Sequence, residues 1–175
     1  MKPQIIATLL IFLLFACKVN CQCQDSTEVS LDDTKSWLIS KINSYGARSL
    51  PPTKYYSVFS NNTWTIYEIG MNEKFELKDT TTKFEIDIKD INTEKLNIRE
   101  IGKNGKFGLS INPINGKSTM QSPALGTLNG LGFELIIQSE EDNLDKRLVK
   151  AIKHAHCLVS GSSSNKNKQQ SKEKF

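Results

Sequence analysis

Histidine and cysteine are scarce in this chain: two histidines and four cysteines occur among 175 residues. Three of the cysteines, Cys17, Cys21 and Cys23, crowd the N-terminal end, and Cys157 stands alone in the rest. A disulfide framework therefore cannot be what holds the domain together. No serine sits in a G-x-S-x-G elbow. The glycines from Gly126 to Gly132 have neither the Lys-Ser/Thr pair nor the strand-to-helix context of a phosphate loop. With no hydrolase or nucleotide motif to point to, no cofactor is expected. Nor does any apolar run reach the roughly 20 residues that cross a bilayer as a helix. The net charge of +4 is carried by the ends, at Lys2 and Lys18 and in a tail with Lys166, Lys168, Lys172 and Lys174. The body between is close to neutral and lacks the basic footprint of a nucleic-acid binder.

What is present begins with an export pattern. Lys2 precedes an apolar run from Ile5 to Ala16, interrupted only by Thr8, and no other charge appears before Lys18. A positive start, a run of this length and small residues after it predict a secretion signal over residues 1–23. Three cuts compete. Leu14-Phe15-Ala16-Cys17 resembles the lipobox of bacterial lipoproteins, which implies lipidation of Cys17 and a membrane anchor. Ordinary cleavage within Val19-Asn20-Cys21-Gln22-Cys23-Gln24, after Cys21 or Cys23, would leave glutamine first. A cut after Ala16 would keep every cysteine. The lipobox is the leading reading, because a cysteine directly follows the apolar core. A bridge from Cys157 to Cys21 or Cys23 would tie the N-terminal arm to the last helix.

Beyond the signal, residues 24–30 read as a polar tether, residues 31–159 as one domain and residues 160–175 as a disordered basic tail. A helix is predicted from about Asp33 to Tyr45, capped by Asp32 or Asp33 and stopped by Gly46, with Trp37, Leu38, Ile42 and Tyr45 near one stripe. The period then changes. Tyr55 to Phe59 and Thr63 to Ile69 flank an Asn61-Asn62 turn. Phe75 and Leu77 alternate with charges, then Phe84, Ile86 and Ile88 do so after Asp79-Thr80-Thr81-Thr82, which reads as the turn of a hairpin. Leu96 to Ile101, Phe107 to Ile111, a short run near Ser118 to Gln121 and Phe133 to Ile137 follow. Asn104-Gly105 and Asn115-Gly116 supply tight turns, and Pro123 to Gly132 reads as a loop. Asp142 or Asn143 opens a closing helix with Leu144, Leu148, Ala151, Ile152 and Ala155 on its apolar stripe, ending near Gly161.

The order helix, about seven short strands, helix predicts an α+β fold with a mainly antiparallel sheet. The alternating strand Phe84-Ile86-Ile88, the strand Phe133 to Ile137 and the amphipathic helix Asn143 to Leu158 resemble a pleckstrin-homology-like barrel plugged by its C-terminal helix. The chain as a whole is similar to small exported proteins of Gram-negative bacteria. Neither resemblance implies an active site.

One cluster has the residue types for chemistry. His154-Ala155-His156-Cys157 offers ligands that zinc or copper accept, although on a helix His154 and Cys157 share a face and His156 does not. The opposing reading packs Cys157 with the stripe and leaves both histidines at a helix C-terminus. The leading expectation is a non-enzymatic envelope domain, anchored or free, that binds a protein, lipid or small ligand. The alternative is a metal- or thiol-dependent activity centred on His154, His156 and Cys157.

Overall fold

The computed structural model describes residues 29–49, 52–72, 77–102 and 105–170. The chain is α+β: the described residues form helix α1 (Leu31–Tyr45), nine antiparallel strands and helix α2 (Leu144–Gln170). The strands are β1 (Ala47–Ser49), β2 (Pro52–Ser60), β3 (Thr63–Met71), β4 (Leu77–Asp87), β5 (Asn97–Glu100), β6 (Lys106–Ile111), β7 (Ser118–Ser122), β8 (Gly126–Asn129) and β9 (Phe133–Gln138). They form one sheet ordered β1-β2-β3-β4-β7-β8 and a second ordered β5-β6-β9. The sheets do not close into a barrel, so the α+β expectation holds in its open form.

Helix α1 starts earlier than the sequence implied. Ser30, not Asp32 or Asp33, is its cap: Ser30 Oγ accepts from the Asp33 amide at 3.1 Å and donates to Asp33 Oδ2 at 2.6 Å. The two aspartates occupy the first turn instead, where negative charge favours the helix dipole. Thr34, Leu38 and Ile42, four residues apart, form the buried stripe. Gly46 ends the helix as expected, but not through a left-handed backbone, since its φ is −73° and ψ 103°. Space is the reason. A Cβ on Gly46 would lie 2.6 Å from the Ile42 carbonyl oxygen and 2.9 Å from Tyr55 Cβ.

The Asn61-Asn62 turn joins β2 to β3, with Asn61 at φ +52°. The expected turn at Thr80–Thr82 is absent. Leu77–Asp87 is one strand, in which Thr81 and Thr82 pair with Ile69 and Glu68 of β3. Threonine is β-branched and sits well on a pleated surface, which overrides its polarity as a turn signal. Ile88 leaves the alternation for a short 3-10 turn, Ile88–Asp90, yet stays buried. Asn115 and Gly116 take the two positive φ values of a type I′ turn, +52° and +69°. That turn carries the chain from the small sheet to the large one, because β6 pairs with β5 and β9 and not with β7. The Pro123–Gly132 loop contains β8, a four-residue strand paired to β7.

Leu135, Ile136 and Ile137 of β9 are all buried, so this strand is covered on both faces as its sequence implied. Gly46 bridges to Ile137 and its carbonyl accepts from the Tyr55 amide at 3.0 Å, so the end of α1, the large sheet and the small sheet meet at one residue. The core gathers Leu38 and Ile42 of α1, Trp64, Ile66, Phe84 and Ile86 of the large sheet, Leu109, Ile111 and Leu135 of the small one, and Leu144, Leu148 and Ile152 of α2. Helix α2 runs on past Gly161, where the sequence reading ended it, to Gln170. A single interior glycine costs a helix only about 1 kcal/mol. No described helix is long and apolar enough to cross a membrane.

Two glycine substitutions test this account with opposite signs. Gly46→Ala is expected to destabilise the fold by about 1–3 kcal/mol, because backbone and a β-strand side chain must move. Gly161→Ala, where an added Cβ meets nothing within 4 Å, is expected to leave stability unchanged or raise it by up to about 1 kcal/mol. Urea unfolding of both variants checks the pair.

Candidate functional site

Where α1 and α2 lie side by side, their borders leave a cleft of about 430 Å³ lined by Val29, Asp33, Thr34 and Trp37 on one side and Arg147, Lys150, Ala151 and His154 on the other. The spacing explains the set. Residues 147, 150, 151 and 154 recur at helical intervals and so present one face, as do 33, 34 and 37. The walls are Trp37, Val29 and Ala151, and the rim carries two cations and one carboxylate. Val29 remains 51% exposed. The Arg147 guanidinium stacks over the Trp37 ring at 5.3 Å. At the far end His154 Nε2 lies 3.1 Å from the Val29 carbonyl oxygen. A carbonyl only accepts, so Nε2 carries the hydrogen.

Glu141 fixes how the helices meet. Lys41 Nζ and Tyr45 Oη of α1 both donate to its Oε1, the tyrosine at 2.7 Å, while Arg147 Nη1 of α2 donates to Oε2 at 3.3 Å. Hydrogen bonds from Lys41 and Tyr45 hold the Glu141 carboxyl below its ordinary range, and the bond to Glu141 raises the Tyr45 phenol above its own. Lys41 also lies over the Trp37 and Tyr45 rings, at 6.0 Å and 5.6 Å. Asp142 or Asn143 is the expected start of the last helix, and Glu141 lies just before it in sequence. It precedes α2 and is oriented by its own amide, which donates to Ser139 Oγ at 3.0 Å.

His154 lines the cleft. His156, two positions on, is not part of it. Cys157 is disulfide-bonded, and a disulfide sulfur lacks the thiolate charge with which cysteine ligates a metal or attacks an electrophile. Among the described residues, no group of three or more His, Cys, Asp or Glu could hold a metal ion. The lipidation candidate Cys17 lies outside the described residues.

No family model, no curated protein and no solved structure matches this chain. The cleft's own chemistry is what there is to read. Trp37 and Ala151 look like core positions in sequence, and Arg147 and Lys150 look like solvated ones. A helix pattern gives the apolar stripe of each helix but not the rotation at which two stripes face each other. The half-apolar borders that make the cleft are therefore invisible until both helices are placed.

The depressed Glu141 carboxyl sets a pH test. A carboxylate whose pKa is lowered by folding stabilises the native state above its unfolded pKa and loses that contribution as pH falls through the native one. Unfolding free energy is expected to decline through the carboxylate range and below. Glu141→Gln is expected to flatten that decline, with the curves of the two proteins converging in acid. Denaturant unfolding at a series of pH values measures it.

Proposed function

We propose that this protein is an exported, non-enzymatic binding domain and that the cleft between α1 and α2 holds a small amphiphilic anion, a carboxylate or phosphate head on a hydrocarbon body. The observation that carries this reading is the pairing of apolar walls at Trp37, Val29 and Ala151 with cations at Arg147 and Lys150 on one open rim. Concave, largely apolar sites with a few placed polar groups are the usual form of small-ligand sites. Arg147 is already engaged by Glu141 and Trp37, which leaves the exposed Lys150 to meet an incoming charge. Asp33 is the one opposing carboxylate, and its Oδ2 is held by Ser30. Export is supported by the apolar run behind Lys2.

Trp37 lies in the wall and Trp64 is buried at 1% exposure, so fluorescence can isolate the cleft. Dodecanoate is expected to change the Trp37 signal saturably, with Trp37→Phe showing no change. Lys150→Glu is expected to weaken binding about tenfold or more, a loss of roughly 1.4 kcal/mol, while dodecanol binds more weakly than dodecanoate. An unsaturable response, or equal affinity for Lys150→Glu, would overturn the reading.

A further inference from the structure

Two rows of strand pairing meet at a second cavity, at the end of the large sheet where β7 stops. Arg48 pairs with Thr53 and Thr53 with Gly70, while Tyr55 pairs with Glu68 and Glu68 with Thr82. Cross-strand partners and residues two apart share a face, so all six lie on the face that buries Tyr55. Strand β7 pairs with β4 only from Lys83 to Ile86, although β4 begins at Leu77. After Ser122 the chain turns at Pro123 into β8, and Gly70 adds no side chain of its own. The space left is about 390 Å³, within the usual range of small-ligand sites.

One cation and one carboxylate line it together. Arg48 Nη2 donates to Glu68 Oε1 at 3.0 Å, and Tyr55 Oη donates to the same oxygen at 3.5 Å. Burial and the Glu68 charge raise the Tyr55 phenol above its ordinary range, so it stays a donor. Both donors fall on one oxygen of the carboxylate, which can accept about four hydrogen bonds over two. Arg48 Nε is buried and has no acceptor among the described residues. An ion pair that serves structure alone is favourable only when its remaining donors are satisfied. This one keeps unused capacity of both signs, and both side chains stay partly exposed on the cavity. An anion would meet Glu68 as well as Arg48, and a cation would meet Arg48 as well as Glu68. A zwitterion is attracted by both. Pro52, Met71, Pro123 and Ala124 supply apolar wall beside the pair.

We propose that this cavity binds a free α-amino acid with an aliphatic side chain. Its carboxylate takes donors of Arg48 that Glu68 leaves unused, its ammonium donates to Glu68, and its side chain lies against the proline and methionine wall. The site is separate from the cleft between the helices and shares no residue with it.

Isothermal titration calorimetry with L-leucine tests it. Saturable binding is expected, weakened about tenfold or more when either charge of the ligand is removed, in N-acetyl-L-leucine or L-leucinamide. Glu68→Gln keeps an oxygen for Arg48 and Tyr55. It is expected to lower leucine affinity by a similar factor and to leave N-acetyl-L-leucine binding no weaker than before. Saturating dodecanoate is expected to leave leucine binding unchanged. The proposal is overturned by the absence of saturable heat, by equal affinity for leucine and its N-acetyl form, or by a Glu68→Gln loss that falls on both ligands alike. Displacement of leucine by dodecanoate would place it in the helix cleft, which overturns this site and leaves the cleft reading standing.

Discussion

Gly46 has no room for a side chain, and the rest of the architecture is arranged around that. Its amide still serves α1, donating to the Ile42 carbonyl at 2.7 Å, while its carbonyl already serves β2. The same residue bridges to β9. One backbone unit thus belongs to a helix end and to both sheets. A second backbone bridge, Ile91 to Pro113, ties the segment after β4 to the segment after β6, and much of the remaining contact between the sheets is side-chain burial, which is non-directional and tolerates sliding. A hydrogen-bonded backbone point does not slide, and it sets where α1 crosses the sheets.

Polar ties from α1 add to this register. Asn43 Oδ1 accepts from the Ser57 amide at 2.7 Å, and Lys35 Nζ reaches the Asn61 carbonyl at 2.7 Å. They anchor the helix to β2 along its length, from the β2–β3 turn to the strand's middle. With α1 fixed, Glu141 can set α2 by reaching Lys41, Tyr45 and Arg147 from the approach to that helix. The cleft follows from these constraints rather than from any motif. Two helices placed by sheet contacts and one carboxylate touch along their buried stripes and part along their borders.

This explains which features could be read from the sequence. Local rules act within a few residues, so Phe84 and Ile86, the Asn61 and Asn115-Gly116 turns, the two helices and the doubly covered β9 were all legible. Errors fell where a local signal had two meanings. Thr80-Thr81-Thr82 is polar enough for a turn and β-branched enough for a strand, and pairing with β3 decided it. Asp32 and Asp33 suit a cap or a first turn, and Ser30 took the cap. Gly46 was placed correctly for the wrong reason, because crowding from Tyr55 arises only once β2 is docked. The cleft depends on two elements more than a hundred residues apart, and no pattern within either one encodes their mutual rotation.

The position of Cys157 gains meaning from how the core thins along α2. Leu144, Leu148 and Ile152 belong to the main core, whereas Ala155 and Val159 pack in a small satellite with Ile88, backed by Leu31 and Phe59. Few large side chains hold this part of the helix, and local opening is easiest where buried apolar contacts are fewest. A covalent link stabilises chiefly by limiting the open ensemble, and more so when it closes a long loop. Cys157 sits where hydrophobic packing is running out, beside the point where His154 takes hold of Val29.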